Sequence, residues 1–407
     1  MSLGWHCPTV MMYGDGGLTA WLGSRPERSV TLLLDSGVAD APIAASAREQ
    51  IERGGRTVRT IVITGTGRLH DITELSRRLD GTDLVVAVGG GSLLDQAKLA
   101  VVLRTGPGAL ARLTVPQRSG LILLPPAKVP GPLLAAVPTT LGTGSELSAV
   151  ACLEYPQGKR LIMGSALRPD AAVIDPEATA TLPAELVAEG LLEVLFRVCG
   201  LYVGDHHDLP TEDALAQALA ERAVRLGDEL RARRAVGGAA DGGLRTEIAK
   251  ISGLSHAGWV VLSRSPYAGK GWYLANELST GLGLRKMTAV AALLPPLWGA
   301  IAAGDTRLGS ARRLDALWQR LRAAALDPAS AGRAQLLPED PAAGIAALID
   351  SWGVERRITA EPDQLTAVAR RSVRAWGAGL PMLDGLNTAD IEGLLGRAVA
   401  DATPVGA

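Results

Sequence analysis

Gly89, Gly90 and Gly91 stand between the apolar run Leu84-Val85-Val86-Ala87-Val88 and the segment Ser92-Leu-Leu-Asp95-Gln-Ala-Lys98, which continues with apolar residues at helical spacing. A short β-branched run bounded by glycines reads as a strand buried on both faces, so the order is strand, glycine turn, helix. That geometry gathers unpaired backbone N–H groups and the positive end of a helix dipole at one point, where no Cβ obstructs a phosphate. A ligand-free turn is the plainer explanation. It does not require three glycines with their cost in backbone entropy, so phosphate binding is favoured. A second apolar run, Leu134 to Val137, leads into Pro138-Thr139-Thr140-Leu-Gly-Thr143-Gly-Ser145-Glu146, a loop dense in hydroxyls and glycines. Ligands of open α/β sheets bind at the carboxyl ends of strands, and two such loops argue for a nucleotide crevice more strongly than either alone. Asp35 closes the run Ser29 to Leu34. A carboxylate there accepts hydrogen bonds from an adenosine ribose and repels a 2′-phosphate, although capping of the next helix explains it equally well.

Such loops need a sheet to hold them. Strand-like runs at 9–13, 29–34, 57–64, 84–88 and 134–137 alternate with helical patterns at 18–22, 41–54, 71–79 and 92–104. This alternation predicts an α/β fold with a doubly wound parallel sheet. The Pro- and Gly-rich stretch after 104 reads as a loop excursion with a short strand at 121–124, then a hairpin at 148–154 and 159–163 and a last strand at 172–174. From Leu182-Pro183 onward the pattern changes to amphipathic helices at 184–202, 211–236, 244–262, 267–281, 288–303, 307–326, 341–352, 362–376 and 387–401. The expected division is an α/β dinucleotide-binding domain over 1–178 and an all-α substrate domain over 179–407. Residues 327–340 read as an exposed loop and 402–407 as a frayed tail.

A chain of 407 residues with 47% hydrophobic and 20% charged content can bury more than one core. Lys and Arg number 41 against 42 acidic residues, a balance that gives nucleic acid or a membrane surface no support as partner. Cys7, Cys152 and Cys199 are few, widely spaced and without zinc-ligand spacing, which fits a reducing compartment better than a disulfide framework. The opening MSLGWHCPTV lacks a basic segment followed by an apolar one, and no run of about eighteen apolar residues occurs. A cytoplasmic location is expected.

GGGSLLDQAK at 89–98, PTTLGTGSE at 138–146, RPDAAVIDPE at 168–177 and LPAELVAEG at 182–190 together resemble the iron-containing (group III) alcohol dehydrogenase family, of dehydroquinate-synthase-like fold. The resemblance runs in order along nearly the whole chain. It implies an N-terminal nucleotide domain, a helical C-terminal domain with the substrate cleft between them, and often homodimers. It further implies that Gly89, Gly90, Gly91 and Ser92 hold the pyrophosphate, that Thr139, Thr140, Thr143 and Ser145 line the nucleotide, and that Asp35 favours NAD, with NADP as the alternative. Asp95 and Lys98 are expected to organise the glycine-loop helix.

One departure is as informative as the match. Members of that family bind a divalent metal through an Asp, a His four residues later, and two further histidines. Aligned on Gly190, Asn276 and Leu293-Leu-Pro295, those positions hold Leu192, Phe196, Trp272 and Lys286. Leu, Phe and Trp offer no lone pair and an ammonium offers none, so no metal is expected. Glu193 resembles a ligand of dehydroquinate synthase, but an ion pair with Arg197 at helical spacing is favoured. His206-His207, on a short loop, reads as solvated. Without a metal, the proton carrier must be a side chain. Lys286 is the first choice, His256 is a conventional shuttle, and Tyr273 and Asn276 could bind a substrate oxygen.

The expected activity is therefore that of an NAD(P)-dependent, metal-independent alcohol dehydrogenase acting on a small-molecule or peptide substrate. Intact loops with a remodelled second half resemble specialists of biosynthetic pathways, such as the daptide-type peptide systems. There, oxidation of a C-terminal Thr hydroxyl of a ribosomal peptide would give a β-keto acid that loses CO2. The competing reading is a catalytically retired partner or scaffold within a biosynthetic enzyme complex.

Overall fold

The computed structural model describes residues 7–106, 108–126, 129–326 and 336–400. They divide into two compact units. One runs to Pro183 and also contains Asp241–Ala257; the other comprises Ala184–Ala240 and the residues from Gly258 onward.

In the first unit, strands and helices alternate as β1 (Val10–Tyr13), α1 (Gly17–Leu22), β2 (Ser29–Asp35), α2 (Pro42–Arg53), β3 (Thr57–Ile63), α3 (Leu69–Arg78), β4 (Leu84–Gly89) and α4 (Gly91–Thr105). Then come α5 (Ala109–Thr114), β5 (Leu121–Leu123), β6 (Leu133–Pro138), β7 (Val150–Tyr155), β8 (Gly158–Met163) and β9 (Ala171–Ile174). Six strands form one parallel sheet in the order β1-β9-β6-β4-β2-β3. Winding reverses between β2 and β4: β3 lies beyond β2 on one side, while β6 and β9 continue from β4 on the other. Side chains of a strand alternate between faces. Accordingly Val85 and Ala87 enter one core with residues of α3 and α4, and Leu84, Val86 and Val88 enter another with residues of α1 and α2. All of β4 is buried, and each Val or Leu side chain so removed from water contributes about 1.5–3 kcal/mol. Burial on both faces is what keeps the strand an uninterrupted apolar run.

The expected hairpin is present as antiparallel β7 and β8, and β8 pairs in parallel with β5 to make a separate three-stranded sheet. α5 lies in the stretch read as loop, since six residues are too few for a helical period to show.

The second half opens with α6 (Ala184–Gly204) and α7 (Pro210–Ala235). α8 (Gly242–His256), capped by the Asp241 carboxylate accepting from the Leu244 amide, returns to the sheet unit although helices of the other unit flank it in sequence. It ends at His256 rather than at 262, where a short 3-10 turn, Trp259–Val261, replaces its expected end. α9 (Lys270–Leu282), α10 (Lys286–Ala302), α11 (Ala311–Ala325), α12 (Pro341–Ser351), α13 (Pro362–Trp376) and α14 (Thr388–Ala400) complete the helical unit. Trp298, Trp318, Trp352 and Trp376 are fully buried there. The loop read over 327–340 falls mostly outside the described residues, as does the tail at 402–407. Among the described residues no helix is long and apolar enough to cross a membrane.

Candidate functional site

The reversal of winding puts the carboxyl ends of β2 and β4 side by side, and Asp35 and the glycine triplet stand on those two ends. Open sheets bind ligands at such a switch point because the connections on either side diverge and leave a crevice. Gly90 caps α4 without any side-chain hydrogen bond, so the first N–H groups of the helix lack an intrahelical partner. The glycines are required by close approach. A Cβ on Gly89 would lie 2.3 Å from Leu93 Cδ2 and 3.0 Å from Asp35 Cβ, and one on Gly90 would lie 3.1 Å from Thr140 Cγ2. Asp35 does not cap α2. Its Oδ1 accepts from the Gly37 amide at 2.9 Å, which fixes the turn after β2 beside Gly89.

The hydroxyl loop packs directly on this turn: the Thr139 amide donates to the Gly89 carbonyl at 3.0 Å. Its side chains divide into two sets. Ser145 Oγ donates to Asp95 Oδ1 at 2.6 Å, and Lys98 Nζ donates to Ser145 Oγ, Ser145 O and Val150 O at 2.8, 3.1 and 2.6 Å. Asp95 Oδ2 accepts from the Cys152 amide, and Lys98 Nζ is 3.0 Å from Asp95 Oδ1 with its side chain wholly buried. Asp95 and Ser145 are therefore committed to a buried ion-pair network that ties α4 to the loop. Asp95 and Lys98 lie where a role in organising the glycine-loop helix was expected, and Ser145, expected to line the nucleotide, takes part in the same network. Thr140 Oγ1, by contrast, is buried with no hydrogen-bond partner. Ser92 is exposed at the start of α4, and Thr143 is half-buried.

His256 belongs to this loop rather than to the helical unit. Its Nε2 donates to the Thr143 carbonyl at 3.0 Å, and a Cβ on Gly144, whose φ is +60°, would lie 1.9 Å from His256 Cδ2. Sequence separation hides this pairing, and no local signal announces it.

In the helical unit, three helices bring together Phe196, Trp272 and Lys286. The Phe196 ring meets Trp272 edge-on at 4.7 Å, and Lys286 Nζ sits 4.3 Å from the Trp272 ring centroid. Lys286 Nζ also donates to Glu193 Oε1 at 3.1 Å, and Arg197 Nη2 lies 3.6 Å from the same oxygen. The favoured Glu193–Arg197 pair is thus present, with Lys286 as a second cation that the sequence reading did not join to it. One turn back, Arg285 bridges to Glu189 at 2.5 Å; burial raises the Glu189 carboxyl above its ordinary range while Arg285 opposes the rise. Lys286 is 43% exposed.

Tyr273 and Asn276 have other partners. Tyr273 packs on Trp376 with centroids 4.9 Å apart, and burial pushes its hydroxyl up to about 12, which disfavours it as a proton carrier near neutrality. Asn276 Nδ2 donates to Glu277 Oε1 at 3.4 Å, and buried Glu277 is held by Arg371 and Trp376 Nε1. His206 and His207 are exposed; His206 Nε2 donates to the Thr306 carbonyl and His207 Nδ1 lies 2.9 Å from Asp205 Oδ1.

A switch-point crevice with a glycine cradle is the place where open α/β sheets bind nucleotides. Residues 8–176 match the family model for iron-containing alcohol dehydrogenase. Over 173 residues the chain is 35% identical to long-chain-alcohol dehydrogenase 1 of Geobacillus thermodenitrificans, covering 42% of this chain and 41% of that protein. Over 233 residues it is 31% identical to 4-hydroxybutyrate dehydrogenase of Cupriavidus necator, covering 54% and 59%. The matches thus span about half the length of these relatives. The fold extends further: an iron-containing alcohol dehydrogenase from Thermococcus thioreducens superposes with a TM-score of 0.75 at 21% identity, covering 98% of this chain and 100% of that one.

Two groups implied by the family can be tested against these residues. The dinucleotide fits, since uncommitted amides, a Cβ-free approach and the orphaned Thr140 hydroxyl converge after β4 and β6. The divalent metal does not fit. At the aligned positions Leu192 and Phe196 are buried hydrocarbon, Trp272 offers an indole face, and Lys286 brings a positive charge. Among the described residues no group of three or more His, Cys, Asp or Glu side chains could hold a metal ion.

Proposed function

We propose that this chain is an NAD(P)-dependent, metal-independent oxidoreductase that interconverts an alcohol and its carbonyl compound. The observation that carries the reading is the crevice between β2 and β4, with free α4 amides facing a hydroxyl loop whose Thr140 oxygen is buried without a partner. When bound, the dinucleotide supplies or accepts the hydride. The α4 amides and the Thr140 hydroxyl would hold its diphosphate, and the Asp35 carboxylate would accept from the ribose and disfavour NADP. Lys286 is the group assigned to the proton: its ammonium would give a proton to the substrate oxygen in reduction, with solvent returning one, and the reverse transfer would serve oxidation.

A small-molecule or peptide substrate within a specialised biosynthetic pathway is the reading carried forward, with the C-terminal Thr of a ribosomal peptide as the lead. A cytoplasmic homodimer, alone or inside an enzyme complex, completes it. One observation favours a retired partner instead: Lys286 is engaged in an ion pair. The intact cradle, which a scaffold does not need, weighs against that.

Nicotinamide fluorescence on titration with NADH and NADPH tests the reading. Saturable enhancement, tighter for NADH, is expected; no change with either cofactor overturns it. After purification with added iron and zinc, elemental analysis is expected to find well under one equivalent of either, and stoichiometric metal overturns metal independence.

A further inference from the structure

We propose that Glu193 and Trp272 are positioning residues that hold the Lys286 ammonium in place for proton transfer. The inference rests on the oxidoreductase reading above and adds to it the residues that make Lys286 usable.

Lys286 is the first residue of α10. A cation at that end opposes the helix dipole by about 0.3–1 kcal/mol, and the first turn holds no acidic residue to offset it. Glu193 supplies the compensation from α6. Its carboxylate is 9% exposed and accepts from Lys286 while standing 3.6 Å from Arg197. Trp272, on α9, forms the floor. Its ring is fixed by the edge of Phe196, and a cation over an indole face is attracted by the ring quadrupole. A carboxylate on one side and a π face on another fix the direction of a flexible four-carbon side chain. Among the described residues Glu193 is the only acceptor of a hydrogen bond from Lys286 Nζ. An ammonium has three donors, so further N–H groups remain for a substrate oxygen. A helix start built for stability alone would carry an acid here. The arrangement spends helix stability to keep an ammonium at one place.

The test uses the full chain with NAD and two alcohols, 4-hydroxybutyrate and 1-decanol. NADH affinity and the melting transition are read on the same samples. Glu193→Gln keeps the shape and removes the charge; its kcat is expected to fall about tenfold or more with NADH affinity unchanged, and Glu193→Asp is expected to recover part of the loss. Trp272→Leu is expected to lower kcat similarly, with Trp272→Phe between it and the wild type. With only six lysines in the chain, 13C-lysine NMR supplies a readout that needs no substrate. The Lys286 ε-methylene, assigned through Lys286→Arg, is expected upfield of the others through the Trp272 ring current and to lose that shift in Trp272→Leu. A wild type that turns over an alcohol while Glu193→Gln matches its kcat overturns the positioning role alone, and so does a Lys286 signal without the ring-current shift. A wild type that binds NADH but oxidises neither 4-hydroxybutyrate nor 1-decanol overturns these small alcohols as substrates, and the Lys286 signal then decides the positioning role. Absence of NADH binding overturns the oxidoreductase reading itself.

Discussion

The loops of the sheet unit and the aromatic cluster of the helical unit treat their polar groups in opposite ways. After β4 and β6, the α4 amides lack a cap and the Thr140 hydroxyl is buried without a partner, while a charged network of Asp95, Lys98 and Ser145 stiffens the loop from behind. Around Trp272, charge is balanced within the protein: Glu193 faces Lys286 and Arg197, and Glu189 faces Arg285. The first region is prepared to receive an anion and is incomplete by itself. The second holds cations of its own, Lys286 and Arg197, against Glu193.

Breaking the support of the first region should give the largest effect. Lys98→Met strands a partly buried Asp95 and removes three further hydrogen bonds from a side chain with no exposure. Loss of one partner of a buried pair costs about 3–5 kcal/mol, to be read from urea unfolding, and a loss under 1 kcal/mol would show that the network is not structural. Gly144→Ala should follow. Its left-handed φ of +60° and the approach of His256 Cδ2 to 1.9 Å of the new Cβ strain the loop without touching α4. NADH is expected to bind about tenfold more weakly, and unaltered affinity would remove the hydroxyl loop from the site.

A buried group of the helical unit sharpens the contrast more gently. Asp228 is 1% exposed, and Arg231 Nε lies 3.5 Å from its Oδ1, at the long limit of a hydrogen bond. Burial raises its carboxyl above the ordinary 3.8. The native state then binds more protons than the unfolded chain between that value and the raised one, so this group's contribution to stability falls as pH rises through the window. Asp228→Leu, near in volume, should lose that part of the slope and gain about 1 kcal/mol at neutral pH. Denaturation of both proteins across the acidic range checks it; an unchanged difference with pH would show that Asp228 does not titrate there.

Much of the sheet unit was legible because its signals are local. The run Leu84 to Val88 and the glycines after it define strand and turn within a dozen residues, and Asp35 is conspicuous at the end of its own run. The helical unit was legible as helices but not as a site. Glu193 with Arg197 follows from i, i+4 spacing, whereas Lys286 joins them across 93 residues. His256 was expected beside the helical residues and lies instead against Thr143, 113 residues away. Asp95 and Ser145 have the residue types of ligand contacts, and only their mutual distance shows that they serve each other.

By itself, the sequence determined the parallel α/β layer, its glycine cradle and the chemical unfitness of Leu192, Phe196 and Trp272 as metal ligands. Those follow from backbone sterics, side-chain period and lone pairs, which act within a residue or a few neighbours. The tertiary structure decided which hydroxyls remain available, where α8 belongs, and that Lys286 rests on Trp272 beside Glu193. These are pairings between distant segments, and packing fixes them by burying polar groups only where partners meet.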